Sequence, residues 1–429
     1  MDIYNLVSFA GIFVLIGFAW VLSADKKNMN WRVIGWGIGL QILIGFFIFV
    51  VPVGSDLFSL VNDIVVKVLD SASAGAKFVF GRLALAPGQT SETGEESLGF
   101  ILAFQAFPTI IFFSALIAIL YYFKIMPLII RGFAYVFTKL MRISGAESLV
   151  AAGNIFVGIE SALTVKPYLS RMTRSELCTI LTAGMATVAS NVLALYVFSL
   201  KAVFPEIAGH LVSASLLSAP AALVMSKVIL PEKETPETLG VHVRPYYEKE
   251  NSFFEAIING ANAGVKMIVG IVALLIAVLG LVALVDLGLS ALGPAWSLKA
   301  IFGYIFYPFT IILGVPRSDW GVISRIIGER VIVTEVVAYK DLAIALEGDL
   351  LQYPQRSAVI ATYALCGFAH VASMAIFVGG ISALAPDRTR NISRVALRAL
   401  LAATLACLLT ACVAGTFYTE GKVSILFGE

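Results

Sequence analysis

Two eight-residue stretches of this chain match at five positions. The stretch 183–190 reads AGMATVAS and the stretch 366–373 reads CGFAHVAS, so Gly, Ala, Val, Ala and Ser recur in register. Upstream of each copy lies an apolar segment interrupted by polar residues. Segment 144–169 carries Gly153, Gly158, Glu160, Ser161 and Pro167, and segment 314–353 carries Glu329, Arg330, Thr334 and Glu335. Each is long enough to enter a bilayer and turn back. Broken backbone at membrane depth survives only where protein or a water-filled cavity satisfies its polar groups. Both segments are therefore expected to be re-entrant hairpins, and the small-residue octapeptides mark places where a span can unwind. One such match alone also fits ordinary helix packing. Paired interrupted segments in the two halves of a chain point to a transporter's binding site, where half-helix ends and freed carbonyls face the cargo.

The rest of the chain is built for lipid. Hydrophobic residues make up 59% of its 429 positions and charged residues only 14%. A soluble domain has about a quarter charged residues, so lipid must replace water over much of this surface. Apolar runs predict spans at roughly 4–22, 33–52, 98–123, 175–200, 208–230, 262–288, 357–384 and 389–416. The expected fold class is an all-α polytopic membrane protein with about eight transmembrane helices and two re-entrant hairpins in an inverted repeat, resident in a cell inner membrane. Lys26, Lys27 and Arg32 make the first short loop cytoplasmic and put the N-terminus outside. The first run lacks a basic leader and a small-residue cleavage site, so it reads as a retained span.

Residues 54–82 space Asp56, Asp63, Lys67 and Asp70 among apolar residues and read as an interfacial helix. Segment 88–97 is a polar loop, and the Pro- and Glu-rich stretch 231–251 is the best internal boundary. The expected organisation is 1–125 as scaffold spans with an interfacial helix, and 126–230 as a first transport repeat. Residues 231–290 are linker and scaffold span, and 291–429 form a second transport repeat. The net charge of +2 offers no field for nucleic acid. Cys178, Cys366, Cys407 and Cys412 sit in apolar runs without metal spacing and read as buried hydrophobes.

Few polar groups remain to carry chemistry. Glu160 and Glu335 lie near the two expected tips, where an ionisable group is a functional hypothesis by default. Either also fits a hydrated mouth or a structural pair. A carboxylate accepts hydrogen bonds well from sugar hydroxyls. Asn154 and Thr187 offer neutral oxygens of the kind a hard cation prefers, although such side chains often just satisfy local backbone. His370 occupies in the second octapeptide the position of Thr187 in the first, and could hydrogen-bond a substrate, carry a proton or simply pack. Ser190, Ser373, Arg330 and Lys166 read as structural, the two cations snorkelling or pairing with the glutamates.

These residues resemble a known family, the concentrative nucleoside transporters, over nearly the whole chain. The similar stretches are NIFVGIESALTVKPYL (154–169), TRSEL (173–177), LLSAPAAL (216–223), GVPRSD (314–319), VTEVVAY (333–339), ALCGFAHVASMAI (364–376) and GGISALAP (379–386). The resemblance implies a homotrimer whose protomers pair a scaffold with a mobile part made of two inverted hairpin repeats. It implies a sodium site from Asn154 and Thr187 side chains and Val157 and Val188 carbonyls, with Glu335 and Ser373 as ribose ligands and Phe368 and Val192 lining the pocket. Coupling by protons remains an alternative. The family's first tip reads G-Q-T/S-E, where this chain has Gly158, Ile159, Glu160 and Ser161, and the familiar asparagine of the second motif is His370. Altered base recognition beside a retained sugar and ion side is the expectation, because unpaired polar groups shift selectivity strongly.

The resulting expectation is an ion-coupled symporter, sodium-driven, importing a nucleoside or nucleoside-like solute without any other cofactor, with a proton-coupled transporter of a different small polar solute as the alternative. A channel and an intramembrane enzyme built on Glu160, Ser161 and His370 are the competing classes. No nucleophile elbow, metalloprotease helix or paired catalytic aspartate supports the enzyme.

Overall fold

The computed structural model describes residues 2–86, 88–91, 94–246, 250–293 and 295–419. Among them the regular structure is helical. The first third holds α1 (Ile3–Val21), α2 (Trp31–Phe49), α3 (Pro52–Phe80), the single turn α4 (Leu102–Gln105) and α5 (Phe107–Tyr122). Then come α6 (Ile125–Met141), α7 (Gly145–Gly153), a 3-10 segment Ile159–Arg171, α8 (Arg174–Ala186), α9 (Ser190–Leu200) and α10 (Ile207–Ile229). After α11 (Phe253–Ser290) the same order returns as α12 (Leu298–Ile312), α13 (Trp320–Ile332), α14 (Glu335–Glu347), α15 (Pro354–Leu365), α16 (Val371–Leu384) and α17 (Thr389–Phe417).

The chain is a polytopic membrane protein. Seven stretches of the described residues are long and apolar enough to cross a bilayer. The expected span 357–384 is not among them because it divides into α15 and α16, each too short alone. The expected span 98–123 starts later, at Leu102, and is offset at Ala106 just before Pro108. The span expected at 262–288 is the 38-residue α11, which begins at Phe253 and so takes up the residues beyond the polar linker. At 1.5 Å per residue it runs about 57 Å, well past the hydrocarbon thickness, so it must tilt or project.

Local signals explain the element ends. α7 and α8 each begin with a capping box, Ser144 with Glu147 and Thr173 with Glu176, satisfying the first free amides reciprocally. Pro52 opens α3, where its missing N–H removes nothing. The second arm of the first hairpin is a 3-10 run rather than an α-helix, and Pro167 inside it explains why the ordinary ladder cannot form. Gly260 and Gly264 of α11 lie against the α5 backbone: a Cβ at Gly260 would sit 2.7 Å from the Ser114 carbonyl oxygen. Small residues at that spacing let two spans approach closely.

The two halves bury the core between them. α8, α10, α15 and α17 pack together, and α1 lies on α17 as α2 lies on α10. Cys178, Cys366, Cys407 and Cys412 are buried and unbridged there. The linker after α10 does not hang free. It runs back along the first hairpin, with Gly145 N–H donating to the Thr238 carbonyl at 2.8 Å and Tyr246 N–H to the Thr164 carbonyl at 2.8 Å.

Candidate functional site

The two octapeptides are the two places where a span opens. Between α8 and α9 the chain is extended at Thr187 and Ala189, and between α15 and α16 it is irregular from Cys366 to His370. The two breaks meet back to back. Gly367 has φ +128°, and a Cβ there would sit 2.6 Å from the Ala186 carbonyl oxygen and 2.8 Å from Cys407 Sγ. Glycine is required on both counts, conformation and clearance. Cys407 of α17 also donates its thiol to the Cys366 carbonyl at 2.9 Å.

Neither hairpin is a straight crossing. The first turns after Gly153 and the second at Val333 and Thr334, between α13 and α14. The first tip lies on the first break: Ser190 N–H donates to the Phe156 carbonyl at 3.0 Å. Ser215 of α10 ties both segments, donating to the Ile155 carbonyl at 2.9 Å with Oγ 3.4 Å from the Val188 carbonyl. Asn154 sits at the turn, buried. Its Nδ2 donates to the Val150 carbonyl at 3.0 Å, while Oδ1 has no hydrogen-bond partner. A buried acceptor left open needs a reason. Thr187 Oγ1 donates to the Ala183 carbonyl at 2.9 Å and keeps its lone pairs. With the backbone of Val157 and Val188 on the same two segments, the acceptors these residues offer are oxygens, the donor type a hard cation takes.

The second tip carries a polar cluster. Glu335 opens α14 and is only 3% exposed. Its Oε1 accepts from the Tyr196 hydroxyl at 2.7 Å, and its Oε2 lies 2.9 Å from His370 Nε2. His370 caps α16: Nδ1 accepts from Ser373 N–H at 3.2 Å, and Nε2 lies 2.6 Å from Ser373 Oγ. A ring nitrogen that accepts a backbone N–H carries no proton, so a neutral ring holds its proton on Nε2, toward Glu335. The N-termini of α14 and α16 both face this carboxylate, and helix N-termini favour negative charge. That explains how the sequence tolerates Glu335 at this depth.

The same geometry argues against nucleophilic catalysis. A serine–histidine–acid relay needs nucleophile and acid on opposite ring nitrogens. Here Ser373 and Glu335 both face Nε2, and Nδ1 is taken by backbone.

The remaining expected site residues divide. Val192 is buried in the first turn of α9, and Phe368 is half-buried in the second break beside His370. Ile159 packs on Gly380 of α16, filling the space a side chain there would need. Glu160 is exposed, and Ser161 is buried with its carbonyl accepting from Thr164 Oγ1 at 2.6 Å. One expectation is corrected. Arg330 neither snorkels nor pairs with a glutamate in the described structure; it is fully buried and donates to the Ala364 carbonyl at 2.7 Å. His210, in α10, is a second fully buried histidine. Tyr196 and Ser215 were not legible as site residues. The available signal was a hydroxyl within an apolar run, because such a group must find a partner when buried.

Comparison with known proteins decides the family. Models described as Na+ dependent nucleoside transporter N-terminus, Nucleoside recognition, and Na+ dependent nucleoside transporter C-terminus match residues 10–83, 103–203 and 210–415. The nucleoside permease NupC of Helicobacter pylori is 36% identical over 96% of this chain and 98% of its own length.

This chain belongs to the concentrative nucleoside transporter family.

That is a transporter family and not an enzyme family. Solute carrier family 28 member 3 of Rattus norvegicus is 38% identical over 96% of the chain, which spans only 58% of that longer relative. Among solved structures, CNTnw in an inward-facing substrate-bound state matches with a TM-score of 0.89 at 34% identity, covering 98% of this chain and all of that one. An outward-facing CNTnw variant matches at 0.87 and 33% identity, covering 97% of this chain and 98% of its own. The likeness covers nearly the whole chain and so spans both hairpins and both breaks.

Proposed function

We propose that this protein imports a nucleoside or nucleoside-like solute by sodium symport with alternating access. One observation carries the reading. The buried Glu335 carboxylate stands at the junction of a hairpin tip and a broken span, held by Tyr196 and His370. It is a strong acceptor in a place where packing alone would not retain it. The open Asn154 Oδ1 at the turn of the first hairpin supports the ion half of the reading.

In this reading Asn154, Thr187, and the Val157 and Val188 carbonyls take sodium, and its binding orders the first tip against the first break. Glu335, His370 and Ser373 take the sugar hydroxyls, with Phe368 and Val192 as apolar walls. Ile159, Glu160 and Ser161 form the altered edge that meets the base. With both charges matched by ligands, residues 126–230 and 291–429 move as one body across the scaffold of 1–125 and 231–290. The matched ligands lower the penalty of carrying a carboxylate through an apolar barrier. The protein assembles as a homotrimer in the cell inner membrane. The exposed apolar face of α11 supports an intermembrane partner or lipid along its length, with Ile276 71% and Leu287 71% exposed in the protomer.

Uptake of labelled uridine and a panel of other nucleosides into proteoliposomes tests this. An imposed sodium gradient should drive accumulation, and collapsing it should abolish accumulation. Equal uptake with and without the gradient would mean a passive facilitator. High-affinity uridine uptake indistinguishable across the panel would remove the claim of altered base recognition.

A further inference from the structure

The last span carries a stripe of cations without anions. α17 holds Arg390, Arg394 and Arg398 at intervals of four residues, and no Asp or Glu along its whole length. Residues four apart on a helix are neighbours, so the three guanidinia make two like-charge contacts, each unfavourable. All three side chains are exposed, and none makes a hydrogen bond or ion pair among the described residues. Arg390 also stands in the first turn, where the helix dipole favours anions, and no side chain caps that end. Asp387, the nearest carboxylate in sequence, lies in the preceding turn Pro386–Arg388 and pairs with none of them among the described residues. Arg388 is occupied elsewhere, donating to the Ser170 and Met172 carbonyls at 2.6 Å each. Snorkelling explains one cation at a helix end. It does not explain three that repel one another.

The stripe lies at the basic end of the molecule. Asn5 donates to the Thr416 carbonyl at 3.0 Å, so the start of α1 meets the end of α17 and the two run antiparallel. The start of α17 therefore shares a face with the loop after α1, which carries Lys26 and Lys27, and the positive-inside rule puts that face in the cytoplasm. Beyond Arg398 no charged residue follows before the helix ends at Phe417. At 1.5 Å per residue, 399–417 is an apolar stretch of about 28 Å, which matches a hydrocarbon core of roughly 30 Å. That match sets Arg398 at the edge of the hydrocarbon, with Arg390 and Arg394 in the headgroup layer below it. The same helix face turns apolar at this level. Leu397 is 71% exposed beside Arg398, and half-buried Leu401 follows one turn on. A face that is basic below and apolar above has the profile of a lipid, phosphate first and acyl chain next. The leucines offer nothing to a free phosphate.

We infer that Arg390, Arg394 and Arg398 form a binding site for an anionic phospholipid of the cytoplasmic leaflet. The headgroup phosphate accepts from the guanidinium N–H groups, whose planar fork matches phosphate oxygens in pairs. An acyl chain lies along Leu397 and Leu401. The bound anion also screens the two like-charge contacts and faces the uncapped end of α17, so it stabilises the helix start.

Native mass spectrometry of the detergent-purified protein, titrated with dioleoyl phosphatidylglycerol, reads the affinity of the tightest lipid site. Each cation at an anionic lipid surface contributes about fivefold in affinity. Arg394→Gln should therefore weaken phosphatidylglycerol binding by about fivefold, and Gln at all three positions by about a hundredfold. Lys at all three positions keeps the charge and should retain most of the affinity. Dioleoyl phosphatidylcholine, which has the phosphate but no net charge, should bind the wild type at least about tenfold more weakly. Equal binding of the two lipids, or wild-type affinity for phosphatidylglycerol in the triple Gln variant, would overturn the site. Displacement of the lipid by an equal concentration of inorganic phosphate would overturn the lipid as occupant in favour of a free anion. Where the triple Gln variant does not fold, Arg394→Gln and the two-lipid comparison on the wild type carry the decision.

Discussion

Replacing Glu335 by Gln separates the charge of this side chain from its shape. The wild-type carboxylate accepts one hydrogen bond, from the Tyr196 hydroxyl at 2.7 Å, and its Oε2 lies 2.9 Å from His370 Nε2 without closing a hydrogen bond. A hydrogen bond to a charged group contributes about 1.5–3 kcal/mol and a neutral one about 0.5–1.5, so the Tyr196 bond loses roughly 1–1.5 kcal/mol. Against that loss, the amide no longer carries the desolvation penalty of a buried anion. The two effects oppose each other, and the fold should survive with its thermal midpoint shifted by only a few degrees. A substrate hydroxyl has no such offset. Its bond to the carboxylate forms only on binding, so the same 1–1.5 kcal/mol appears as an apparent affinity lower by about tenfold. The amide also points an N–H₂ at one of the positions where the carboxylate accepted, which adds to the loss. Uridine uptake into proteoliposomes gives KM, and a thermal melt of the purified variant reports folding. A KM within twofold of wild type in a folded variant would refute the assignment of Glu335 to the substrate.

Other outcomes follow from the same geometry. Asn154→Ala removes the open acceptor at the first break; wild type should gain about 2.7 kcal/mol of stability at sodium a hundredfold above its Kd, and the variant should gain almost none. Thermal melts in sodium against choline chloride measure this, and equal sodium stabilisation would exclude Asn154 from the ion site. Gly367→Ala puts a methyl 2.6 Å from the Ala186 carbonyl at φ +128°, so it should destabilise by about 3 kcal/mol or more, read as a lower thermal midpoint or loss of folded protein on size exclusion. Asp25, in the loop after α1, is held at about 2 by the Lys233 ammonium and then by the Lys27 amide. Its folded value lies below the ordinary 3.8, so the contact stabilises above that pH and disappears as pH falls through about 2. Asp25→Asn should therefore lower the thermal midpoint slightly and by the same amount across neutral pH; a difference that varied between about pH 5 and 8 would contradict this.

Much of this architecture was written in the residues. Charge poverty forces the chain into lipid, and long unbroken apolar runs satisfy their own backbone there as helices. The doubled octapeptide marked both broken spans, and Pro167, Gly153 and Gly158 marked the first turning point, because those residues cannot continue a helix at its full strength. Glu335 could be singled out because a lone carboxylate in an apolar run has no cheap explanation. The family resemblance then named partners that spacing alone left open.

Tertiary structure decided the rest, since contact across a repeat is a property of two distant segments and has no period in the chain. Tyr196 and Glu335 are 139 residues apart and touch through one hydrogen bond. Ser215 reaches the first tip from a helix sixty residues on. The meeting of Gly367 with Ala186 follows only when the halves fold against each other as an inverted pair. Arg330 shows the division most clearly. From sequence it was a cation near a tip, free to snorkel toward water. Folding closed α15 and α17 over it and left the carbonyl end of a half-helix as its partner, because in a packed interior a charge must take whichever dipole lies within reach.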